Sequence, residues 1–211
     1  MTLDLTRVRF GRGYHRADVP TGNRDLCIME AVAYVAGEPW SDAPACASPT
    51  VAAFLRSWND TLSDVDRDRL LPADVWVPRL VGSRGMPEIE ERRAYLALDW
   101  LIRTYTPAWL DLVPGLRSHA AALRALSEIV DLVTASCAGQ IVRAAWDAAR
   151  AAARDAARAA ARDAARDAAY DPAETAARIA AGGALRPTVE ALQVSALDLL
   201  DRMLRYGEVT P

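Results

Sequence analysis

The stretch Ala144–Asp171, AAWDAARAAARDAARAAARDAARDAAYD, repeats a four-residue phrase seven times, and alanine fills two of the four positions every time. Alanine has the best intrinsic helix propensity, and its methyl group is too small to anchor a core by itself. The stretch therefore reads as one long helix that serves as a spacer, strut or close-packing surface. Trp146, Arg150, Arg154, Arg158, Arg162, Arg166 and Tyr170 form one row at four-residue spacing, with Asp147, Asp155, Asp163, Asp167 and Asp171 in the next. Each residue turns the helix by ~100°, so a four-residue repeat drifts by ~40° per step and the charged row winds around the axis. No fixed apolar face results, which disfavours a heptad coiled coil. Asp147 with Arg150, Asp155 with Arg158 and Asp163 with Arg166 stand three apart, carboxylate first, each pair adding ~0.2–0.5 kcal/mol. Such a helix can stand partly in water.

Its arginines alternate with aspartates, so the tract carries almost no net charge and makes a poor phosphate-binding strut. An ice-binding face is also disfavoured, because no Ser or Thr occurs between Gln140 and Asp171. Close helix–helix contact across alanine remains, beside the alternative of a low-complexity expansion whose length hardly matters.

Outside the tract, 211 residues with 52% hydrophobic content suffice for a core, although alanine supplies much of that fraction. A net charge of −3 offers no bulk attraction to nucleic acid or an anionic membrane. No run of eighteen large apolar residues is present, and MTLDLTRVRFGRGYHR has no apolar stretch of signal-peptide length. Three cysteines cannot all pair within one chain. The expectation is a cytoplasmic protein with free thiols, without nucleic-acid or membrane partners.

Helix punctuation places the rest. Leu3, Leu5, Val8 and Phe10 suggest a short extended arm within 1–22. Asn23 or Asp25 is the expected cap of a first helix that Gly37 ends. Ser48-Pro49 opens a second, with Val51, Phe54, Leu55 and Trp58 on one face. Ser63 caps a third, and 72–81 holds a fourth interrupted at Pro78. Pro87 opens the strongest conventional helix; Thr106-Pro107 starts another. Residues 116–126 and 127–137 are expected to continue helically and merge into the tract. Asp171-Pro172 breaks it, Gly182-Gly183 ends a short successor, and Pro187 begins an amphipathic helix with Val189, Leu192, Ala196, Leu199 and Met203 on one side. The segments are thus an arm (1–22), a helical domain (23–126), a long alanine-rich helix (127–171) and a returning C-terminal segment (172–211), all-α throughout.

Candidate chemistry is confined to His15–Cys46. Cys27 falls at the start of a helix, where free N–H groups can lower a thiol pKa, and Glu30 shares its face. His15, Cys27 and Cys46 could bind zinc with Glu30 or Asp42 as fourth ligand or base. Alternatively Cys27 is a nucleophile with His15 as its base and Glu30 close by. There is no CxxC or HxxxH, so the favoured reading of both cysteines is structural, packed near the core. Cys137 reads as packing, and Trp40, beside Pro39, as the exposed contact aromatic. The chain has no lysine, which excludes a phosphate-binding P-loop.

The block CIMEAVAYVAGEPWSDAPACASPTVAAFLRSWND (27–60), with RLLPADVWVPRLVGSRG, EERRAYLALDWLIRTYTPAWLDL, the WDAARAAARDAAR tract and LRPTVEALQVSALDLLDRM, resembles a family of uncharacterised proteins from actinobacteria and their bacteriophages. The resemblance implies no activity, cofactor or catalytic residue. The combined expectation is a non-catalytic helical interaction or assembly protein of that origin, self-associating through the tract and the last helix and needing no cofactor. The alternative is a zinc- or thiol-dependent small enzyme or binder using His15, Cys27, Glu30, Asp42 and Cys46.

Overall fold

The computed structural model describes residues 3–16, 21–166 and 172–206, and side chains within them except over 159–182. Among these the protein is all-α. Its α-helices are α1 (Ile28–Ala36), α2 (Pro49–Thr61), α3 (Asp64–Leu70), α4 (Ala73–Leu80), α5 (Pro87–Trp100), α6 (Thr106–Leu110), α7 (Arg117–Arg124), α8 (Leu132–Arg166) and α9 (Pro172–Arg205). They divide between two compact units, Met1–Ala97 with Leu197–Pro211, and Leu98–Ala196.

The first unit is built around α1, which packs against α2 and α4. Ile28, Met29, Val32, Val51, Leu55, Val77 and Leu80 are fully enclosed, together with Leu199, Leu200 and Met203 from the end of α9. Burying each such side chain stabilises by about 1.5–3 kcal/mol. Ser48 caps α2 through Val51 N–H at 3.2 Å with Pro49 in its first turn, and Ser63 caps α3 through Asp66 N–H at 3.1 Å. Gly37 ends α1 at φ 70°, a conformation that favours glycine.

The cap of α1 differs from expectation. Cys27 is the capping residue, in a capping box with Glu30, whereas Asp25 accepts bonds from Thr21 N–H (2.6 Å), Thr21 hydroxyl (2.8 Å) and Gly22 N–H (3.0 Å) to close the preceding turn. Burial opposes ionisation of Asp25, but these donors prevail and hold its carboxyl below the ordinary range. Pro78 lies inside α4 without interrupting it, because Pro78 and Asp74, whose carbonyl it leaves without a donor, both face solvent.

In the second unit Leu110, Leu116, Ala120, Leu123 and Ala145 form the core, flanked by Ile102, Leu126, Val142, Ala148, Ala149 and Ala152. The start of the alanine tract is therefore a packing face, on which small side chains let α7 and α8 approach closely. From Ala153 to Arg158 every side chain is exposed. Over ~1.5 Å per residue, 35 residues of α8 extend ~52 Å.

Three expected boundaries move. α5 does not stop before Thr106: it passes through a π-helical turn, Leu101–Tyr105, and Thr106 N–H and hydroxyl both reach Leu101 carbonyl, the hydroxyl at 2.7 Å. That widened turn accommodates Pro107, which has no N–H to give. Residues 127–137 do not continue one helix. They hold a loop that ends in a side-chain cap, Thr134 N–H to Asp131 Oδ1 at 2.8 Å, with Thr134 Oγ1 accepting from Val130 N–H at 3.0 Å. Finally, Gly182-Gly183 does not end a helix and Pro187 does not begin one, since both lie within α9. Gly183 and Pro187 are exposed, so water can take the carbonyl the proline leaves free. The break expected at Asp171-Pro172 falls outside the described residues. No helix among those described is long and apolar enough to cross a membrane.

Candidate functional site

The arm ending at His15 is laced into the first unit by side chains donating to, or accepting from, its backbone. Val8 and Phe10 are buried, and Gly11 N–H reaches Leu26 carbonyl at 2.8 Å. Asn59 Nδ2 donates to Gly11 carbonyl at 2.8 Å, Asp60 Oδ1 accepts from Gly13 N–H at 2.8 Å, and Trp40 Nε1 donates to His15 carbonyl at 2.8 Å. A Cβ at Gly11 would come within 2.4 Å of Arg24 carbonyl and 2.6 Å of His15 Nε2. Only glycine fits there.

Glu30 is the hub of this corner. Wholly buried, it accepts His15 N–H at 2.7 Å and Cys27 N–H at 2.7 Å, and its Oε2 lies 2.9 Å from His15 Nδ1. Its carboxylate is thereby solvated by the protein itself, with a buried charge matched to fixed donors. His15, Cys27 and Glu30 do come together, as their residue types suggest. What they make is a fastening of the arm to the first turn of α1.

The thiol at this corner does not have the depressed pKa expected of a helix start. Burial pushes the Cys27 thiol up from 9.0 to about 12, and the adjacent Glu30 carboxylate pushes the same way, against the pull of the Glu30 and Met29 backbone N–H groups. Cys46 and Asp42 do not join it. Cys46 N–H is held by Glu38 Oε1 at 2.7 Å, and burial with that carboxylate nearby raises its thiol pKa as well. Asp42 faces Arg56, whose Nη1 donates to its carbonyl at 2.9 Å. Among the described residues no group of three or more His, Cys, Asp or Glu side chains is gathered so as to hold a metal ion. The zinc set His15, Cys27, Cys46 and Asp42 is therefore not assembled.

Two surface readings change. Trp40 is half-buried and engaged with His15, while Trp146 on α8 is 62% exposed. Cys137, expected to pack, is exposed. It shares one side of α8 with Val133 and Ile141, at four-residue spacing.

The residue the sequence reading missed is Arg67. Its side chain is wholly buried, with Nε donating to Asn59 carbonyl (3.0 Å), Nη2 to Leu62 carbonyl (2.8 Å), and Nη1 to Phe10 carbonyl (3.3 Å) and Asp64 Oδ1 (2.7 Å). It ties the arm to the ends of α2 and α3. Nothing in the local pattern VDRDRL distinguishes it from Arg69, which pairs on the surface with Asp66. Compared with protein families, curated proteins and solved structures, the chain finds no match.

Proposed function

We propose that the chain is a non-catalytic helical interaction and assembly protein, of actinobacterial or phage origin, that associates with copies of itself through α8 and the helix that follows it. One observation carries this reading. Leu132, Val133 and Trp146 are 71%, 70% and 62% exposed on a helix whose other side already packs against α7. Large apolar side chains left in water on one helix favour a protein partner, at about 1.5–3 kcal/mol for each one fully covered. Val133, Cys137 and Ile141 make a stripe that a second α8 can meet, and the exposed alanines further along, Ala153, Ala156 and Ala157, permit close approach. The interleaved Asp and Arg keep that face nearly neutral, which suits self-contact. Free thiols in all three cysteines accord with a cytoplasmic setting.

Light scattering over a range of micromolar concentrations tests it. A mass that rises above 22.9 kDa with concentration is expected, returning to 22.9 kDa in the double variant Val133→Glu, Ile141→Glu. A monomer throughout in the unmodified protein contradicts the proposal.

A further inference from the structure

Within the first unit, the end of α4, the connection to α5 and the end of α9 enclose a hollow of about 200 Å³ lined by Arg79, Ser83, Arg84, Arg93 and Leu204. Three guanidinium groups, those of Arg79, Arg84 and Arg93, line this one small space. The turn that shapes the hollow passes through Gly82 at φ 75°.

Arg93 is the informative member. Its side chain is only 3% exposed, with Nε donating to Met203 carbonyl at 2.8 Å and Nη1 to Ser83 carbonyl and Glu90 Oε1, each at 2.7 Å. Its Nη2 makes no hydrogen bond among the described residues, although the group is fixed on three sides. Since Arg93 lines the hollow, this is the nitrogen an incoming oxygen can reach. Arg79 spends one nitrogen on Asp201 at 2.6 Å and stacks over Trp76, while Arg84 spends one on Ala45 carbonyl at 3.1 Å. Both retain further N–H donors. Glu90 pairs with Arg93, while Asp201 is shared between Arg79 and Arg205, so the three lining guanidinium groups are not fully neutralised by these two carboxylates.

We infer that this hollow binds a tetrahedral oxyanion, a phosphate group, with Arg93 as its pre-positioned buried donor and Arg79 and Arg84 closing on the remaining oxygens. Three separate guanidinium groups match an anion with three or four oxygens better than a planar carboxylate, which a single arginine satisfies in bidentate fashion. The volume of about 200 Å³ admits a phosphate group with room to spare, so the site takes either the free ion or a phosphate group together with a short part of the molecule that bears it.

Titration calorimetry on the full chain at constant ionic strength, with inorganic phosphate, O-phosphoserine and acetate as separate probes, tests the site. Saturable one-to-one binding of inorganic phosphate supports it for the free ion, and binding of O-phosphoserine alone supports it for a phosphate borne on a larger molecule. Arg84→Ala, at an exposed position, weakens that binding about ten- to a hundredfold, the loss expected for a charge-assisted hydrogen bond, and leaves thermal unfolding in place. Arg79→Gln gives a loss of the same order and serves as the second variant should the first not fold. The inference is overturned if neither phosphate probe binds, if acetate binds as tightly, or if both variants bind as the unmodified protein does.

Discussion

The corner around Glu30 and the tract on α8 use polar residues in opposite ways. At the corner, His15, Cys27 and Glu30 have the residue types of an active site, yet Glu30 is wholly buried and its oxygens are taken by two backbone N–H groups and the imidazole. On α8, Asp155 and Arg158 meet at 3.4 Å while each remains more than 70% exposed. In the first case the polar groups are consumed in holding a chain segment, and in the second they keep a rod in water while apolar residues on the same helix stay open. A residue's chemical type therefore says little about function until its hydrogen-bonding capacity has been accounted for.

That contrast predicts very unequal responses to substitution. Arg67→Met, in the same buried network as the arm, removes three kinds of carbonyl contact. Arg12 Nη2 still serves Leu62 carbonyl and Arg24 Nη1 still serves Phe10 carbonyl, so Asn59 carbonyl suffers most. Chemical denaturation is expected to show a loss of about 3 kcal/mol. A loss within about 0.5 kcal/mol would mean that the arm is not fastened as described.

A smaller effect is expected from pH. With the folded Cys27 pKa raised to about 12 against 9.0, the unfolded chain gives up this proton first as pH rises, and the folded chain holds it. Stability contributed by the protonated thiol is thus complete below pH 9 and declines as pH climbs from 9 towards 12. Cys27→Ala flattens that alkaline limb in denaturation curves collected across the window. An unchanged limb would place the thiol in water.

The smallest response belongs to the tract. Asp155→Asn removes one exposed pair and should move stability by less than about 0.5 kcal/mol, with added salt erasing even that. A loss comparable to that of Arg67→Met would erase the distinction between the two regions.

Much of the architecture was legible because it is local. Ser48-Pro49, Ser63 and Gly37 act within four residues, and the alanine repeat leaves few alternatives to a helix. Where the reading failed, partners were distant or compensation was invisible. Asp25 and Asn23 have better intrinsic capping character than Cys27, but Glu30 supplies the other half of a capping box. Pro187 and Pro78 look like helix breaks until one sees that the carbonyls they free face solvent. At the candidate site, His15, Cys27 and Glu30 lie close in sequence and meet in the structure. Their role depended on Trp40, Asn59, Asp60 and Arg67, whose bonds to the arm span 25 to 57 residues. Periodicity carries no signal at that range.

The most direct test of the account is timed alkylation of the three thiols at neutral pH, performed in dilute and in concentrated protein. The expected result is a silent Cys27 in both, with Cys137 modified rapidly when dilute and more slowly as association covers α8. Fast modification of Cys27, or a Cys137 rate indifferent to concentration, would contradict it.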